Sequence, residues 1–133
     1  MAKKDKKTRL RNEADKLWSE LVKRSGFCEK CGDTTYLAAH HIIYKSQSNF
    51  LRCDPNNGIT LCRGCHFWIH HESPTVVSDF LTEKLGEETI RYLNSRRRTL
   101  VKANSTFWEE RISILKDDAS SESRKPRQTF LAG

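Results

Sequence analysis

The chain lacks an apolar run of 18 residues and has no hydrophobic segment behind its basic N-terminus. Neither a transmembrane helix nor a secretory signal is therefore expected, and the expected address is the cytoplasm, with no membrane partner. No internal repeat is evident, which argues for one domain with tails rather than an array. Apolar residues are scarce, at 36% of 133 residues with a mean hydropathy of -0.73, so the core must be modest. A domain of this size buries only roughly two-thirds of the surface its unfolded chain exposes, and a bound metal could supply much of the folding free energy.

Acidic residues are outnumbered. Lys and Arg total 24 against 17 Asp and Glu, a net charge of +7 that favours a polyanionic partner. The charge is clustered. Residues 1–11 hold six basic side chains and one acid, and the stretch from Arg91 to Lys102 holds five basic side chains and no acid. Nucleic acid is the partner this pattern favours, with Arg96, Arg97, Arg98 and Lys102 as candidate phosphate contacts. On a helix three consecutive arginines cannot all face one way, so only part of that cluster would reach a backbone.

What the chain does have is concentrated between Cys28 and His70. Four of its five cysteines form two C-x-x-C pairs, Cys28 with Cys31 and Cys62 with Cys65, the ligand set of a closed tetrahedral zinc site. In a reducing cytoplasm such cysteines read as metal ligands rather than disulfides, and Cys53, outside both pairs, reads as a bystander thiol. The spacer between the pairs, residues 32–61, is longer than in ordinary zinc ribbons. Inside and just beyond it lie His40, His41, Asn57, His66 and His70, which a purely structural four-cysteine site does not need. Assigning zinc to Cys28, Cys31 and two histidines would orphan the second cysteine pair. A zinc deaminase is disfavoured, because no H-x-E unit precedes a P-C-x-x-C here.

The periodicity places these residues on elements. Leu10, Ala14, Leu17, Trp18, Leu21 and Val22 outline an amphipathic helix over 10–24, with Trp18 read as core. Tyr36 to Tyr44 reads as a strand, and Ile59 to Leu61 as a short second one. Neighbouring residues on a strand face opposite ways, so His40 and His41 can serve one site only where the strand ends or bulges. Lys45 to Asn56 reads as a functional loop held across the site. A helix from about Cys65 to His71 would put His66 and His70 one turn apart and leave His71 exposed. Further helices are expected after Ser73-Pro74, near Glu87, and from a capping box at Thr106 and Glu109. Residues 1–9 read as a flexible basic arm, either touching phosphate or merely solubilising, and 117–133 as a disordered tail.

These residues resemble the HNH, or ββα-metal, nuclease family, in the style of its small phage-encoded members with a four-cysteine zinc site. The resemblance implies an α+β fold, a zinc-stapled ββα core over 28–71 inside a single domain at 10–116, flanked by helices at 10–24 and about 75–116. It further implies a metal-dependent endonuclease that hydrolyses DNA. In that comparison His41 is the general base, Asn57 supports it, and His40, His66 and His70 hold a catalytic divalent ion. Magnesium or manganese is the first expectation for that ion, with zinc or nickel as others, and the ends left are 5′-phosphate and 3′-hydroxyl. Two competing readings are a non-catalytic zinc module that binds nucleic acid and a zinc-stabilised adaptor for another protein. Sequence leaves the target, the oligomeric state, including any homodimer, and a phage DNA-processing partner open.

Overall fold

The computed structural model describes residues 4–120 together with 130 and 131. Among these residues there are five α-helices and one two-stranded antiparallel sheet, an α+β arrangement with the ββα order of the core. No helix among the described residues is long and apolar enough to cross a membrane.

Helix α1 (Lys6–Val22) starts earlier than expected. Asp5 accepts the Thr8 N–H at 2.7 Å, satisfying one of the donors a helix start leaves open, so residues 6–9 continue the helix instead of trailing as an arm. Residues 1–3 lie outside the described residues. Ala14, Trp18, Leu21 and Val22 recur on one face and are buried, chiefly against α5 (Ser105–Ser120). That last helix opens one residue before Thr106. Asn104 is its cap, accepting the Phe107 N–H at 3.0 Å, so the expected Thr106 box is not the starting signal. Of the expected tail, residues 117–120 belong to α5, while 121–129, 132 and 133 lie outside the described residues. Phe130 and Leu131 pack on Tyr92.

Strand β1 (Ala38–His41) is shorter than the expected Tyr36–Tyr44, and pairs with β2 (Gly58–Leu61) in the register His40 to Ile59 and His41 to Gly58. Helix α2 (Arg63–His71) follows directly, capped by the Cys62 backbone. Helices α3 (Pro74–Leu85) and α4 (Glu87–Arg96) then pack beside the hairpin and α2, with Phe80 edge-on to Trp68 and Leu93 buried beside Ile43 and Leu51.

Gly58 is where α1 meets the sheet. A Cβ there would lie 2.6 Å from a Val22 methyl and 2.8 Å from the Trp18 ring, so only glycine allows this approach.

Candidate active site and metal centre

Two donor groups form, and α2 contributes to both. The first is sulfur. The Sγ atoms of Cys28, Cys31, Cys62 and Cys65 lie within 4.8 Å of one another, with Cys31 and Cys62 3.6 Å apart. Zinc–sulfur bonds of about 2.3 Å put tetrahedral thiolates about 3.8 Å apart, so this donor set fits such an ion. Local geometry produces it. Gly32, at φ 84, closes the first knuckle by donating to the Cys28 carbonyl at 2.9 Å, and Glu29 ties the knuckle to β2 through both its backbone N–H and its carboxylate on Thr60. Burial pushes the Cys28 thiol up, but backbone N–H groups of Cys31, Cys62 and Lys30 outweigh it and bring it to about 6. The thiols of Cys31 and Cys65 are raised instead. Held as thiolates, four sulfurs this close would require a cation among them. All five cysteines are free thiols, and Cys53 is a buried bystander whose sulfur contacts Asp15.

The second group is nitrogen. His66 Nε2 lies 3.2 Å from His40 Nδ1 and 3.2 Å from His70 Nε2, and the three rings present one nitrogen each within 4.8 Å. A single ring nitrogen holds at most one proton, so His66 Nε2 cannot donate to both neighbours. Bonds of about 2.0–2.1 Å to one ion would set such nitrogens about 3.4 Å apart, near the observed spacing. Burial, and then the neighbouring imidazoles, hold His40 down to about 4, and burial lowers His66, so both rings keep lone pairs free for an ion. Helix α2 serves both groups: Cys65 turns to the sulfurs and the next residue, His66, to the imidazoles. His71 is exposed, its Nδ1 bonded to the Phe67 carbonyl at 2.7 Å, away from the cluster.

His41 is the last residue of β1, so the strand ends where the paired histidines required it to. Its ring turns toward α1 rather than α2, yet both histidines border one cavity of about 390 Å³, with Tyr44, Lys45, His66 and His70. The His41 ring stacks on Trp18, centroids 3.8 Å apart. Its Nε2 lies 2.8 Å from the Arg52 carbonyl. A carbonyl only accepts, so Nε2 carries the proton and Nδ1 keeps the lone pair. Burial lowers His41 most, against the opposing effects of the Arg52 carbonyl and Asp15. Arg52 in turn makes a bidentate pair with Asp15 at 2.9 and 2.8 Å, which pins the residue whose carbonyl holds His41.

Asn57 does not touch the cavity. It is fully buried and clamps backbone: its Oδ1 accepts the Ile43 N–H at 2.7 Å, and its Nδ2 donates to the Ile43 and Leu51 carbonyls. One amide thus joins the segment after His41 to the segment before Arg52.

Residues 28–72 match the HNH endonuclease family model. This segment is an HNH domain. It covers roughly a third of the chain and contains every cysteine and histidine of the two donor groups. The family implies a nucleic-acid substrate. Neither a curated protein nor a solved structure matches the chain.

The predicted phosphate contacts disperse. Arg96 is half-buried, lies over Tyr92 and bonds the Leu131 carbonyl, while Arg98 and Lys102 are exposed. Arg97 lines a second cavity that shares Tyr44 and His70 with the first. Sequence reasoning missed Trp18 as a histidine support, and missed Asp15, Arg52 and Lys45 altogether. Only the reading of 45–56 as a functional loop pointed toward the last two.

Proposed function

We propose that this protein is a metal-dependent HNH endonuclease that hydrolyses DNA phosphodiester bonds. The observation that carries the reading is the separation of the two donor groups. Four sulfurs suffice for a structural zinc, so His40, His66 and His70 are left to converge on a cavity that His41 also borders.

His40, His66 and His70 would hold the catalytic ion. When bound, that ion supplies a Lewis acid that offsets the negative charge growing on the leaving oxygen. An all-imidazole set suits nickel or zinc better than magnesium or manganese, which prefer oxygen ligands. His41 takes the proton from the attacking water at Nδ1, the nitrogen left free by the Arg52 carbonyl. Trp18 and the Asp15–Arg52 pair keep that imidazole in place. Lys45, on the cavity rim, offers a positive charge to the phosphodiester, and Arg97, Arg98 and Lys102 extend the basic surface along the backbone. Asn57 acts through the backbone around His41 and is a positioning residue. Water adds to phosphorus, the bond to the 3′-oxygen breaks, that oxygen takes a proton from solvent, and the ends are 5′-phosphate and 3′-hydroxyl.

The test is a plasmid-cleavage assay with magnesium, manganese, nickel or zinc on the wild type and His41→Ala, with zinc content measured in both. Metal-stimulated cleavage, lost in His41→Ala while about one tightly bound zinc remains, is the expected result. DNA binding without cleavage in any of the four metals would replace this reading with that of a zinc-stabilised binding module.

A further inference from the structure

Beside the histidine cavity lies a second one of about 530 Å³, within the roughly 300–1,000 Å³ usual for small-ligand pockets. The two share Tyr44 and His70, so they adjoin along those side chains. Its walls are of two kinds. Ile42, Ile69, Leu81 and Ile90 contribute apolar side chains, while Gln47, Asn94 and Arg97 contribute polar groups. Glu72 also lines it, but its carboxylate accepts the Ser73 N–H at 2.8 Å.

We infer that this pocket receives one unstacked nucleobase next to the phosphodiester handled at the histidine cavity, an inference that rests on the nuclease reading. A base has two apolar faces and a rim of donors and acceptors, which is the pairing of surfaces this pocket offers. The amides of Asn94 and Gln47 carry both a donor and an acceptor, the groups that pair with base edges. Tyr44 stands half-exposed between the cavities, where its ring flanks a base leaving the stack, and Arg97 gives the attached sugar-phosphate a cation. A base paired in a duplex cannot enter a concave pocket of this kind, so the substrate class is single-stranded or locally unpaired DNA, or duplex from which one nucleotide is extruded.

The probes are the four deoxynucleoside 5′-monophosphates and 2-deoxyribose 5-phosphate, titrated into zinc-loaded His41→Ala protein and followed by amide shifts at Ile90 and Asn94. At least one nucleotide should bind about five-fold or more tighter than the base-free sugar phosphate. That difference should disappear in the same protein carrying Asn94→Ala or Ser78→Trp, exposed helix positions on the pocket wall outside the histidine cluster. Equal binding of all five probes, or a preference that survives Ser78→Trp, would overturn the inference. Because the readout is binding to a non-cleaving variant, it separates from the plasmid assay: cleavage without base-dependent binding sinks only the pocket.

Discussion

The indole of Trp18 lies flat on the imidazole of His41, with ring centroids 3.8 Å apart and planes 10° from parallel. The same indole donates its Nε1–H to the Asp54 carbonyl at 2.8 Å. One core side chain therefore holds the ring of His41 and, through the chain beyond Asp54, the turn that carries Asn57. Trp18→Phe keeps an aromatic face but loses the donor; Trp18→Leu loses both. Cleavage by the leucine variant is expected to fall on the order of 10–100-fold, and less in the phenylalanine variant, in steady-state kinetics at a temperature where both are folded. Equal rates in all three proteins would remove Trp18 from the positioning of His41.

Gly58 faces that indole from β2. Gly58→Ala would push a Cβ into Val22 and Trp18 at the sub-van-der-Waals distances found there, and overpacking of this kind costs about 1–3 kcal/mol. The expected outcome is a lower urea midpoint together with reduced cleavage, because relief of the clash moves the ring that supports His41. Gly64, whose surroundings are open, provides the control: Gly64→Ala should leave cleavage unchanged.

Removing the sulfur-held ion should unfold the core rather than merely silence it. The hairpin and α2 are joined at Cys28, Cys31, Cys62 and Cys65, and the apolar cluster around them is small. Cys31→Ser is expected to drop tightly bound zinc from about one per chain toward none and to lower Tm sharply, by metal analysis and calorimetry. His70→Ala, by contrast, should keep both the zinc and the Tm of the wild type while losing metal-stimulated cleavage.

The Asp15–Arg52 pair makes stability pH-dependent. Burial alone would raise the Asp15 carboxyl, but the hydrogen bonds and charge of Arg52 outweigh it and leave it below 3.8. A carboxyl lowered on folding adds stability above its unfolded value, and that stability is lost as the pH falls through the folded one. Urea midpoints of the wild type should therefore decline as the pH is taken below 3.8, and Asp15→Asn should decline less. Parallel declines would show that the pair contributes nothing in this range.

Much of this protein was legible in one dimension. Two C-x-x-C pairs specify their own chemistry, because thiolates with two residues between them can meet at one ion. The i, i+4 spacing of His66 and His70 needs only a helix to bring the rings together, and apolar periodicity marked α1 without reference to any partner. Local caps were less legible: apolar periodicity starts α1 at Leu10 and misses the polar turn that Asp5 caps, and Asn104 won over Thr106 because the two cap residues stand two positions apart.

The sequence alone determined which atoms are available to bind metal and in what order the elements carry them, since both follow from residue type and spacing. Only the tertiary structure decided how those atoms are divided. Strand alternation turned His41 away from His40 and onto Trp18, a contact 23 residues distant in the chain, and a loop carbonyl at Arg52 selected its free nitrogen. The same packing spent Arg96 on Leu131 and left Arg97 facing a cavity beside His70. Such choices depend on side chains far apart in sequence competing for the same space, and no local pattern encodes the outcome.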